Sequence, residues 1–70
     1  MTRYVATDKV EIELTNFCQG GSIVLSPGEE LEREHSEDGA LWFNGERFSH
    51  FVDKHFRGAI EDGRLIECDQ

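Results

Sequence analysis

Four side chains in this sequence have the chemistry of zinc ligands: Cys18, His50, His55 and Cys68. Their spacing suits a metal site poorly. The cysteines stand fifty positions apart and form no Cys-x-x-Cys pair. His50 and His55 differ by five positions, about 140° around a helix, whereas helical residues that share a face sit three or four apart. His55 also falls in an apolar arc, where a histidine held by one hydrogen-bond partner is the plainer reading. No metal is therefore expected, and a zinc-stabilised module is the weakest of the alternatives. Ser49 and His50 are adjacent, but neighbours on a helix point apart, and Ser49 reads as a helix cap. Cys18 lacks nearby positive charge to lower its pKa and make it a nucleophile. Carboxylates abound, yet acid–base chemistry needs a cleft that pushes one pKa up, and a chain of 70 residues rarely encloses one. Gly20-Gly21 opens a strand rather than a helix and no Walker lysine follows, so no phosphate cradle is present. Glu37 to Glu46 lacks the oxygen spacing of a calcium loop. Neither catalysis nor a cofactor is expected.

The remaining chemistry is charge. Glu29, Glu30, Glu32, Glu34, Glu37 and Asp38 lie within ten residues with Arg33 as the single formal counter-charge, a net −5 out of −8 for the chain. Such a patch favours cationic partners through its long-range field. In an extended strand its alternate carboxylates would stand about 6.6 Å apart in a row. That row could engage a phosphate-binding groove lined by Lys and Arg, with a buried aromatic residue supplying affinity. These six acids and Trp42 are the expected partner-binding residues, with Tyr4 and Phe17 as further aromatic anchors. The competing reading is that the acids only keep a small protein soluble.

Size limits the architecture that positions these groups. Seventy residues form one domain, 1–70, which buries only about 60% of its unfolded surface. Five Phe, one Trp and one Tyr supply large burial per residue and favour a compact fold over disorder despite the charge. No run approaches the roughly 20 apolar residues of a membrane span, and Met1 to Val10 lacks the apolar core of a signal peptide. A cytoplasmic location is the expectation. Two cysteines are too few for a disulfide scaffold and read as free thiols.

The first clear element is Lys9 to Thr15, where Val10, Ile12 and Leu14 alternate with Glu11 and Glu13 as in a half-buried strand. Asn16 and Gln19 to Ser22 mark a connection, and Ile23 to Leu25 reads as a second strand. Ser26-Pro27-Gly28-Glu29 fits either a type II turn or a capping box. Glu29 to His35 has strong helix formers but only Leu31 to anchor a helix. It therefore reads as an exposed edge strand, with Glu30, Glu32 and Glu34 toward water and Leu31, Arg33 and His35 facing the other way. Glu37-Asp38-Gly39 is a turn. Ala40 to Phe43 reads as a central strand, and Asn44-Gly45 as a hairpin turn leading into Glu46 to Phe48. An amphipathic helix over about 49–62 follows, begun by Ser49 and ended by Gly63. Arg64 to Cys68 is a last strand. The expected fold is α+β: a small, mostly antiparallel sheet of four or five strands with that helix packed on one face.

These features point to a small acidic, non-enzymatic protein-binding module. Its expected partner is a protein with a basic surface, such as a nucleic-acid-binding protein whose site it would occupy. Direct binding to nucleic acid or to an anionic membrane is disfavoured by charge. By analogy of size and charge alone, phage-encoded inhibitors of host or defence machinery are proteins of this physical type. The alternative is a structural or assembly adaptor that oligomerises through a sheet edge or the Trp42 region.

Overall fold

Seven strands and one helix follow the chain in the order β1 (Thr2–Ala6), β2 (Val10–Leu14), β3 (Gly21–Leu25), β4 (Glu30–Arg33), β5 (Leu41–Phe43), β6 (Glu46–Phe48), α1 (Asp53–Glu61) and β7 (Leu65–Cys68). The computed structural model describes residues 1–15, 21–37 and 39–68. The fold is α+β. Five strands form an antiparallel sheet in the order β6-β5-β4-β1-β7, and β2 and β3 form a separate antiparallel pair.

Period-two alternation decides what each strand buries. Val10 and Ile12 of β2 and Ile23 and Leu25 of β3 are buried, while Glu11, Glu13 and Val24 between them are exposed. In the larger sheet Ala6, Leu31, Leu41 and Leu65 share one face, and they meet the hairpin's four buried residues and Phe56 and Ala59 of α1 in a single core. The first strand was not evident from the sequence. It lies between β4 and β7, with Tyr4 paired to Leu31 on one side and to Glu67 on the other. Tyr4 turns inward and meets Phe56 edge to face, with ring centroids 5.2 Å apart. An offset or edge contact of this kind adds about 0.5–1.5 kcal/mol beyond area burial. Tyr4 is therefore a packing residue rather than an exposed anchor. Burial is the main cause that raises its pKa, reinforced by Glu67 and opposed by Arg33.

The acidic strand was expected at an edge. It is the middle strand of the five, flanked by β1 and β5. Ser26 to Glu29 resolves as a turn: Gly28 has φ +94°, and the Glu29 amide donates to the Ser26 carbonyl at 3.0 Å. Positive φ at the third position is the type II requirement that glycine meets without strain. Asn44 and Gly45 both have positive φ (53° and 80°), as a type I′ hairpin turn demands.

The helix expected from about 49 to 62 runs instead over Asp53–Glu61, and Ser49 does not cap it. Residues 50–52 are drawn into pairing with the β2 edge. Phe51 bridges Leu14, the Thr15 amide donates to the His50 carbonyl, and the Val52 amide donates to the Glu13 carbonyl at 2.8 Å. Backbone groups committed to a strand cannot also begin a helix. Val52 becomes the extended N-cap residue without a side-chain cap, and Asp53 places its carboxylate in the first turn, where the helix dipole favours it. At the other end, Arg64 N–H to Ala59 C=O and Gly63 N–H to Ile60 C=O form a Schellman motif, so Gly63 ends the helix as its type suggests. Among the described residues, no helix is long and apolar enough to cross a membrane.

Candidate functional site

The helix and the β2–β3 hairpin contribute their buried side chains to one face of the five-stranded sheet. The opposite face is built by alternation and register. Glu32 of β4 lies directly between Arg3 of β1 and Trp42 of β5; Trp42 in turn lies opposite Arg47 of β6. Glu30 lies beside Val5, and Val5 beside Ile66 of β7. This face carries Arg3, Val5, Glu30, Glu32, Trp42, Arg47 and Ile66. Ile66 is 50% exposed, and Glu30, Glu32 and Arg47 are exposed as well.

The expected partner-binding residues divide sharply. Glu34 is tied down: one of its carboxylate oxygens accepts from Trp42 Nε1 at 2.8 Å and from Arg47 Nε at 2.6 Å. The Arg47 bond, then the Trp42 bond, hold its pKa below the usual carboxylate value. Glu29 Oε1 accepts the Ser26 amide at 2.7 Å, so that carboxylate serves its own turn. This is the reciprocal half of a capping box, formed here without a helix. Glu30 lies 3.8 Å from Arg3 Nε, a loose pair. Glu32 makes no ion pair with any other described residue. Glu37 is exposed in the turn after the strand, and Asp38 and Phe17 lie outside the described residues. The structure thus brings Glu30, Glu32, Glu34 and Trp42 onto one face but does not leave a row of equivalent carboxylates.

Arg33, the one counter-charge inside the acidic stretch, faces away from Glu30 and Glu32, as the alternation predicts. On that side its guanidinium lies 4.7 Å from the Phe56 ring centroid and 5.5 Å from that of Phe51. Its Nη1 donates to Asp53 Oδ1 at 3.3 Å. Gly39 has φ +58°, which favours glycine; a Cβ built there would come within 2.8 Å of Nη2 at the flexible end of Arg33, which would have to move aside. The charges that offset the acids come instead from other strands, Arg3 for Glu30 and Arg47 for Glu34. Sequence reasoning missed both, because neither is near the acids along the chain. Alternation of Arg3 and Val5 with Tyr4 and Ala6 was the available signal, and apolar Val5 on the same face as Arg3 makes it weak.

A cleft of about 340 Å³ opens on this face, lined by Met1, Arg3, Glu30, Glu32, Trp42 and the Asn44–Gly45 turn. The Glu34 bond to Nε1 fixes one edge of the Trp42 indole, so the ring is held in place as a wall. Elsewhere, His55 is half-exposed with Glu13 as its partner at 3.2 Å, rather than buried in the core. Cys68 is half-buried at the end of β7, and Cys18 lies outside the described residues. Among the described residues, no group of three or more His, Cys, Asp or Glu side chains is placed to hold a metal ion. Compared with family models, with curated proteins and with solved structures, the chain matches none.

Proposed function

We propose that this chain is a small acidic, non-enzymatic binding module that docks the open face of its five-stranded sheet on a basic protein surface, of the kind that otherwise holds nucleic acid. The observation that carries this reading is the one-sided packing of the sheet: Trp42, Val5 and Ile66 stand among Glu30 and Glu32 on a face that no described element covers. Aromatic and aliphatic groups would supply the affinity, and the chain's net −8 would speed encounter and orient approach. The test is affinity capture of a partner followed by a salt titration and competition with nucleic acid. Binding should weaken with ionic strength, compete with nucleic acid, and fall when Glu30→Lys and Glu32→Lys are combined. Binding indifferent to salt and to both substitutions overturns the reading.

A second reading, assembly through a sheet edge, is favoured by one observation. The edge strand β7 carries Ile66, half-exposed, and its outer backbone edge has no strand paired to it among the described residues. Unpaired strand edges are templates for further pairing. Sedimentation at tens of micromolar separates the readings, since a monomer that still captures a basic partner excludes self-assembly as the binding mode.

A further inference from the structure

We infer that the group recognised on the open face is a single arginine side chain of the basic partner, its guanidinium stacked on the Trp42 indole and paired with the Glu32 carboxylate. The inference rests on the proposed docking of this face and specifies its chemistry. The arrangement of charge argues for a point contact over an extended one. A phosphate-mimicking row needs several equivalent free carboxylates, and here Glu34 is held by Trp42 and Arg47, Glu29 by its own turn, and Glu30 lies in a loose pair with Arg3. On the open face Glu32 makes no ion pair with another described residue, and the register sets it directly opposite Trp42. The cleft beside them, about 340 Å³, is large enough for one long side chain.

Arginine fits this pair better than lysine does. Its planar group stacks on an aromatic face, presents a fork of donors to a carboxylate, and is more weakly hydrated than an ammonium. The chain already uses the same arrangement on its other face, where the Arg33 guanidinium lies over the Phe56 ring and pairs with Asp53. Arg3 also lines the cleft, and it lies opposite Glu32 on the far side from Trp42. It is therefore the intramolecular competitor for the same carboxylate, and removing it should strengthen binding.

Trp42 is the only tryptophan in the chain, so its emission reports on the cleft directly. The probe is the blocked tripeptide acetyl-Gly-Arg-Gly-amide, with the citrulline analogue as its neutral isostere. The arginine peptide should perturb Trp42 emission at concentrations about fivefold lower than the citrulline peptide. Glu32→Gln should weaken the response about threefold, Arg3→Gln should strengthen it about twofold, and Glu61→Gln, the same charge change on the helix, should leave it unchanged. Equal responses to the two peptides, or equal effects of Glu32→Gln and Glu61→Gln, overturn the inference. Parallel titrations with poly-L-arginine and poly-L-lysine at low salt separate its failure from that of the docking reading. Equal binding of both polymers, unaffected by Glu32→Gln, removes the arginine slot and keeps a basic-surface binder; binding of neither removes both.

Discussion

Replacing Arg33 with Met tests how the helix is fixed to the sheet. The substitution keeps an unbranched apolar stem but removes the guanidinium, and with it the Asp53 ion pair and the contacts to Phe56 and Phe51. The Arg33 side chain is 27% exposed and that of Asp53 is 40% exposed, so solvent screening limits the pair to about 0.5 kcal/mol. Half-screened stacking on two rings adds about 1 kcal/mol. The expected loss is thus about 1.5 kcal/mol. Against a total stability of about 3.5–10 kcal/mol for a chain this size, that is a large fraction. It corresponds to a fall in Tm of about 6–12 °C and, at a urea m-value near 1 kcal/mol/M, to a midpoint lowered by about 1.5 M. Urea unfolding followed by Trp42 fluorescence and by circular dichroism measures it. Because Asp53 also pairs with Arg57, Asp53→Asn alone removes two partners. The double-mutant cycle of Arg33→Met with Asp53→Asn isolates the Arg33–Asp53 term, expected near 0.5 kcal/mol. A loss below about 0.5 kcal/mol for Arg33→Met refutes the argument that this side chain joins helix to sheet.

Gly39→Ala should destabilise by about 1–3 kcal/mol, since alanine must adopt the positive φ held there; unchanged thermal unfolding would contradict that backbone strain. Glu34 should make acid stability pH-dependent. Its folded pKa is depressed, so its contribution is complete above the unfolded carboxylate value, near 4.5, and is lost as pH falls through the lower folded value. Glu34→Gln should flatten the stability profile in that window. Trp42→Phe removes one of the two donors, and the Glu34 titration midpoint, read by carboxyl NMR, should move up toward the ordinary value; no movement would place the shift elsewhere.

The sequence by itself determined the elements that answer to local chemistry. Alternation of Val10, Ile12 and Leu14 with two glutamates defines a half-buried strand wherever it packs. Asn44-Gly45 is a turn because its backbone angles are available to those residues and to few others. Gly63 ends the helix for the same reason. Ser26 to Glu29, by contrast, fitted a turn or a helix cap equally, and the fold chose the turn. Leu31 as the only apolar residue in its stretch argued for strand over helix, and the strand is present. What only the tertiary structure decided are the pairings between distant segments, which no local preference encodes. The helix begins at Asp53 rather than Ser49 because β2, some forty residues earlier, takes the backbone of 50–52. The acidic strand lies in the middle of the sheet because β1, whose alternation is blurred by apolar Val5 on the open face, pairs along it. The same register places Arg3 beside Glu30 and Glu32, and the β5–β6 hairpin brings Arg47 to Glu34. Part of the acidic run therefore becomes, on the open face of the sheet, a glutamate without an ion pair among the described residues beside a fixed tryptophan. Charge is counted along the sequence, but its compensation is set across strands, by neighbours that only the fold brings within reach.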